Sequence, residues 1–172
     1  MEKEENFLED FKRAIISTIR SISQEKDYEI TFGNSDKSSN KCINLPELKK
    51  LKDWGNIINI RATADSEALR LKYSDKETLE LYKPLGEIAD KLYKIAEKVR
   101  CEKIGSDEFQ GIKKNISIAF NTPKKKIDSK SGVDKNKKEL LLEEKFEFYF
   151  RSIFFNLEKN KKILPELKKI KK

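Results

Sequence analysis

The chain contains no histidine. That removes the usual general base near neutral pH and the commonest transition-metal ligand. Its two cysteines, Cys42 and Cys101, lie far apart with no C-x-x-C, so both are expected to stay reduced. Carboxylates, lysines, tyrosines and arginines are what remain for chemistry. The stretch that concentrates them is NIRATADSEALRLKYSD, residues 59–75. On a helix Arg61 sits four residues before Asp65, and Glu67 three before Arg70, so each pair shares a face. The plain consequence is two surface ion pairs, each worth roughly 0.3–0.5 kcal/mol. The stronger one is that the arginine forks reach carboxylates of another element. VRCEKIG supplies such a cluster, with Glu97, Arg100 and Glu102 close together. The five residues nominated are Arg61, Asp65, Arg70, Arg100 and Glu102, as a buried or interfacial ion-pair network. No catalytic residue and no metal ligand is nominated.

Arginine carries weight here because the chain hardly uses it. Of 38 basic residues only six are arginine: Arg13, Arg20, Arg61, Arg70, Arg100 and Arg151. Abundant lysine, isoleucine and asparagine are what an AT-rich genome produces by codon drift. The net charge of +8 therefore argues only weakly for nucleic acid. Where drift runs toward lysine, a retained arginine implies that its planar, bidentate fork is used.

The elements that must position these residues follow from hydrophobic period. Residues 6–23 place Phe7, Leu8, Phe11, Ala14, Ile15, Ile19 and Ile22 at steps of three and four, an amphipathic helix. YEITF, 28–32, alternates as a short strand, and KCINLPEL, 41–48, reads as a second one limited by Pro46. The two are expected to form a hairpin across the polar loop GNSDKSSN. A helix is predicted from about Ile57 to Tyr73, with Ile57, Ile60, Ala64, Ala68, Leu69 and Leu71 apolar. Ser74 or Asp75 caps a short helix over KETLELY. Pro84 opens a longer helix that Gly105 is expected to end, and Ser106 caps another over about 107–120. Residues 121–138 are almost devoid of apolar side chains and read as a basic linker. An aromatic helix, Leu140 to Leu157, and a lysine-rich tail follow. The fold class is mainly α: a helical domain with a small β-hairpin over 1–120, a linker over 121–138, and a C-terminal helix and tail over 139–172.

Several motifs fail on inspection. ITFGNSD has one glycine and no G-K-[ST], so it is not a phosphate loop. DSKSG, 128–132, has Lys130 where a metal-dependent adhesion motif needs serine. The basic runs PKKK, KNKK and KKIKK read as solvated surface. FEFYFRSIFF has aromatics on both helical faces, so it suits protein packing better than a membrane surface. No apolar run approaches a bilayer span of about 20 residues. The polar, acidic start is no secretory signal, and a cytoplasmic location is expected.

Taken in order, FKRAIISTIRSI, YEITF, NLPEL, RATADSEALRLKYSD and AEKVRCEKIGSDEFQGIKKNI resemble the N-terminal region of the T subunit of the aerobic, cobalamin-pathway cobaltochelatase. The similarity covers roughly residues 8–118. No single motif is specific, but five in the right order and spacing are. The family pattern falls on Phe11, Lys12, Arg13, Ala14 and Arg20; on Glu29, Phe32, Leu45 and Pro46; on Arg61, Ala64, Asp65, Ala68, Leu69, Arg70 and Leu71; and on Glu97, Arg100, Glu102, Ile104, Gly105, Gly111 and Asn115. Five of the six arginines take family positions. Ala62 replaces a glycine, and Tyr73 stands where a cysteine or histidine is expected. In the family this region continues through an acidic linker into a von Willebrand-type domain. Neither is among these 172 residues, which are therefore read as a piece of a longer protein or a shortened relative.

The resemblance implies a non-catalytic subunit that assembles with an AAA+ ATPase chelatase subunit and a large chelatase subunit. That hetero-oligomer would insert cobalt, as substrate, into hydrogenobyrinic acid a,c-diamide. No cofactor is expected on this chain, because ATP and Mg²⁺ would sit on the ATPase partner. The alternative is a basic protein- or RNA-interaction module without enzymatic activity. No membrane partner is expected, and nucleic acid is the weaker reading.

Overall fold

A computed structural model describes residues 2–33, 41–48, 54–121 and 142–155. The basic linker, the DSKSG stretch, the lysine-rich tail and most of the loop after Gly33 fall outside these described residues. The elements in chain order are α1 (Glu2–Ser23), β1 (Glu29–Phe32), β2 (Cys42–Leu45), α2 (Trp54–Tyr73), α3 (Lys76–Leu81), α4 (Glu87–Glu108), α5 (Gln110–Asn121) and α6 (Leu142–Phe154). Among the described residues the fold is mainly helical with one two-stranded sheet. It divides into two compact units, Met1–Ser74 with Ile104–Pro123, and Asp75–Lys103 with Lys124–Lys172.

In the first unit α1 turns its apolar stripe inward. Ile15 and Ile19 are buried with Tyr28, Ile43, Leu45, Ala64 and Ala68, and Phe11, Ile22, Ile30, Phe32 and Leu71 pack around them. A second cluster joins Leu48, Ile57 and Ile60. α2 is the hub. Its buried residues are Ile57, Ile60, Ala62, Ala64, Asp65, Ser66, Ala68 and Leu69, which occupy more than one face. A helix enclosed this way needs small side chains where neighbours come close, and the alanines supply them.

The sheet corrects one expectation. β1 and β2 pair in parallel, Glu29 opposite Cys42 through Phe32 opposite Leu45, so they are not a hairpin. The Glu29 N–H donates to the Lys41 carbonyl and the Gly33 N–H to the Leu45 carbonyl, both at 2.9 Å. A hairpin needs only a tight turn; in a parallel pair the chain must return to the starting end of β1 before β2 begins. Gly33, at φ +86°, begins that return in a conformation that favours glycine.

A second correction concerns Gly105, which does not end α4. The helix runs on to Glu108, and α5 starts at Gln110, so Ser106 caps nothing and lies buried inside α4. A Cβ at position 105 would collide with the Leu69 isobutyl group. Glycine is there to let α4 approach α2 closely, at a cost in helix propensity of about 1 kcal/mol relative to alanine. The α3 cap is as expected: Asp75 accepts from the Glu77 N–H at 3.1 Å.

In the second unit α4 and α6 are joined by charge. Phe148 and Arg151 are the buried residues of α6. Along α6 the rings of Phe146, Phe150 and Phe154 stack at the i, i+4 spacing, with centroids 4.6 and 5.7 Å apart.

Candidate functional site: two buried charged centres

The first centre lies in the first unit, on α2. Asp65 is buried, and its Oδ2 accepts a hydrogen bond from the Asn115 side-chain amide on α5 at 2.8 Å. Burial pushes the Asp65 carboxyl above its ordinary value. The Asn115 hydrogen bond and the charge of Arg61 oppose that rise. Arg61 itself is exposed and reaches Asp65 through its field. Farther along α2, Arg70 donates through Nε and Nη2 to one oxygen of Glu67, both at 2.8 Å. At the end of α2, Lys72 bonds Glu108 at 3.0 Å and lies 4.7 Å from the centre of the Phe109 ring. Tyr73, which replaces the expected cysteine or histidine, donates its hydroxyl to the same Glu108.

The second centre lies in the second unit, between α4 and α6. Arg151 donates through Nη1 to Glu102 and through Nε and Nη2 to Glu147, at 3.0 and 2.7 Å. The Arg151 and Glu102 side chains are 5% and 2% exposed, so this fork joins two helices in the absence of bulk water. Burial opposes the arginine's charge, but Glu102 and Glu147 outweigh it and hold the guanidinium above its ordinary range. Lys98 adds a looser contact to Glu147 at 3.6 Å. One turn away, Arg100 grips Glu97 on its own helix, with Nε and Nη2 on separate oxygens at 2.6 and 2.8 Å. That hydrogen bonding raises the Arg100 pKa against the effect of burial.

Of the five nominated residues, Arg61 and Asp65 influence one another. Asp65, Arg70, Arg100 and Glu102 each find a partner outside the five: Asn115, Glu67, Glu97 and Arg151. Asn115 and Arg151 were not nominated as site residues, yet each had a signal. Asn115 is a position on which the family resemblance rests, and Arg151 is the sixth arginine, on which it did not. The scarcity of arginine alone pointed to it.

Residues 5–151 match the family described as cobalamin biosynthesis protein CobT. The chain belongs to the CobT family. All six arginines, Asp65, Asn115, Glu102 and Glu147 fall inside the matched region, so both buried centres belong to the CobT-like part of the chain. Membership implies a role in cobalamin biosynthesis as a cobaltochelatase component. No solved structure matches this chain. Among the described residues no group of three histidine, cysteine or acidic side chains is placed to hold a metal ion. Nor, among them, is any helix of this CobT relative long and apolar enough to cross a membrane.

Proposed function

We propose that this chain is a non-catalytic, assembling part of an ATP-dependent cobaltochelatase. In this reading it joins an AAA+ ATPase subunit and a large chelatase subunit, which together insert cobalt into hydrogenobyrinic acid a,c-diamide. ATP and Mg²⁺ belong to the ATPase, and cobalt is the substrate of the complex. The observation that carries the reading is the family match over residues 5–151.

The geometry supports it in a second way. The arginine forks at Arg151 and Arg100 are engaged with carboxylates of this chain. Their work is to fix helices rather than to bind a substrate. Helices whose strongest polar groups are turned on one another suit a subunit that transmits or scaffolds. Asp65 and Glu102 tie helices together within their own units, and Arg61, Arg70 and Arg100 act on carboxylates of their own helices.

The test is to mix this chain with the AAA+ subunit of the same genome, with and without ATP and Mg²⁺. Size-exclusion chromatography with light scattering then gives the mass. A nucleotide-dependent, ring-sized complex is expected. A folded chain that stays alone under both conditions defeats the reading.

A further inference from the structure

α1 has a second seam opposite its apolar one. Arg13, Ser17, Arg20 and Gln24 recur at steps of four, three and four, and with Ile16, Ser21 and Lys26 they line one surface groove. Arg13 and Arg20 are seven residues apart on a continuous helix, so they point the same way about 10 Å from each other. Between the two arginines in sequence the groove is lined by Ile16 and by the short side chain of Ser17, with Ser21 just beyond Arg20. Gln24 ends the helix at φ +60°, a left-handed conformation uncommon outside glycine and asparagine, with its N–H donating to the Arg20 carbonyl at 3.0 Å. That turn brings Lys26 to the same groove as a third cation.

The arginines of this face differ in use from Arg70, Arg100 and Arg151, and resemble exposed Arg61, which acts on Asp65 only through its field. Arg70, Arg100 and Arg151 spend their forks on carboxylates of the chain. Arg13 faces an exposed Asp10 at 3.7 Å, a distance too long for a firm hydrogen bond, and acts on exposed Glu9 through its field. The Arg20 guanidinium makes no hydrogen bond or ion pair with any described residue. In a chain that drifts toward lysine, a fork kept at the surface is kept for something outside the chain.

We infer that the Arg13–Ser17–Arg20–Gln24 face of α1 docks an acidic helix of a protein partner, with carboxylates two turns apart seated on the two guanidinium forks. Repeats of seven match helix to helix, and the serines allow close approach of the second backbone. A single-stranded nucleic acid would want aromatic faces for its bases, and no aromatic residue lines the groove. The inference deepens the assembly reading and rests on it for the partner being a protein.

The probe is a fluorescently labelled helical peptide with glutamates at every seventh position, titrated with the full chain and read by anisotropy. It should bind roughly tenfold more tightly than its glutamine counterpart, the worth of two exposed charge-assisted pairs. The Arg13→Lys/Arg20→Lys variant keeps the charge, loses the forks, and should give back most of that factor with an unchanged circular dichroism spectrum. Equal binding of the two peptides overturns the inference, as does wild-type affinity in the lysine variant. Tighter binding of a single-stranded dT oligonucleotide, falling steeply with salt, makes the face a nucleic-acid surface instead. The wild-type chain with the AAA+ subunit separates the two readings. A complex that survives the double lysine variant defeats the docking face and leaves the assembly reading standing. Glutamate-specific peptide binding without any complex does the reverse.

Discussion

The two buried centres solve opposite problems. At Asp65 a negative charge is buried beside a neutral amide, with only an exposed arginine nearby to offset it. At Arg151 a positive charge is buried between two carboxylates. The first centre holds a hydrogen bond whose acceptor is shifted by burial toward tighter proton binding. The second holds a charge whose partners keep it. The difference teaches that burial alone does not decide whether an ionised group helps: what decides is whether the group's partner carries a compensating charge.

The largest test of that contrast is Arg151→Ala. It leaves Glu102 buried without its counter-ion and should destabilise the fold by about 3–5 kcal/mol in urea unfolding. The pair Glu102→Met/Arg151→Met should recover much of that loss, because apolar residues of similar volume need no partner. If the double variant is as weak as the single one, packing rather than charge is what Arg151 supplies.

Next comes Asn115→Ala. Removing the donor should cost about 1–3 kcal/mol, since the Asp65 oxygen then lies buried and unsatisfied. It should also push the Asp65 carboxyl still higher. A loss no larger than that of an exposed alanine substitution would mean that solvent reaches Asp65 and the contrast is false.

Asp65→Asn sharpens the comparison through pH. The folded pKa of Asp65 lies above the ordinary carboxylate value, so the folded state binds the proton more tightly than the unfolded one. The stability this group contributes is complete below the unfolded pKa and is lost as pH rises through the folded pKa. The variant should therefore be as stable as wild type or more so at neutral pH. Its advantage should vanish in acid. Glu9, Asp75, Glu87, Asp90 and Glu108 are held low by their own partners and give slopes of the opposite sign. They cancel in the difference between the two proteins, which is the quantity to measure by urea unfolding from pH 3 to 8.

The smallest effect is expected at Arg70→Lys. Its fork meets Glu67 on the same helix, and both side chains are partly exposed, so a loss of roughly 0.3–0.5 kcal/mol is expected. A loss several times larger, or weaker partner binding with folding intact, would raise Arg70 to the rank of Arg151.

How much of this the sequence disclosed depends on whether the cause was local. α1, α2 and the Asp75 cap were legible because period and capping chemistry act over a few residues. The aromatic helix was legible too, within two or three residues at the ends described. Gly105 misled because a glycine at a helix end and a glycine at a close helix crossing look alike until Leu69 is placed opposite it. Strand direction was hidden because alternation marks a strand without saying which way its neighbour runs. Both buried centres join residues far apart in the chain, Asp65 with Asn115 and Glu102 with Arg151, and no spacing rule reaches that far. The rarity of arginine was the one signal that did not depend on distance. It marked Arg151 as significant without saying what it held.

The first unit is made of two separated stretches, Met1–Ser74 and Ile104–Pro123. During synthesis the chain cannot finish this unit when its first stretch leaves the ribosome. The roughly thirty residues between the stretches take on the order of a few seconds to be added. Throughout that interval Asp65 has no Asn115 to meet and Leu69 has no Gly105 beside it. The carboxylate stays hydrated and ionised without penalty, and an apolar flank of α2 stays open. The nascent chain thus passes through a stage, timed by translation itself, in which its hub helix is accessible to whatever chaperone or partner arrives before α5 closes over it.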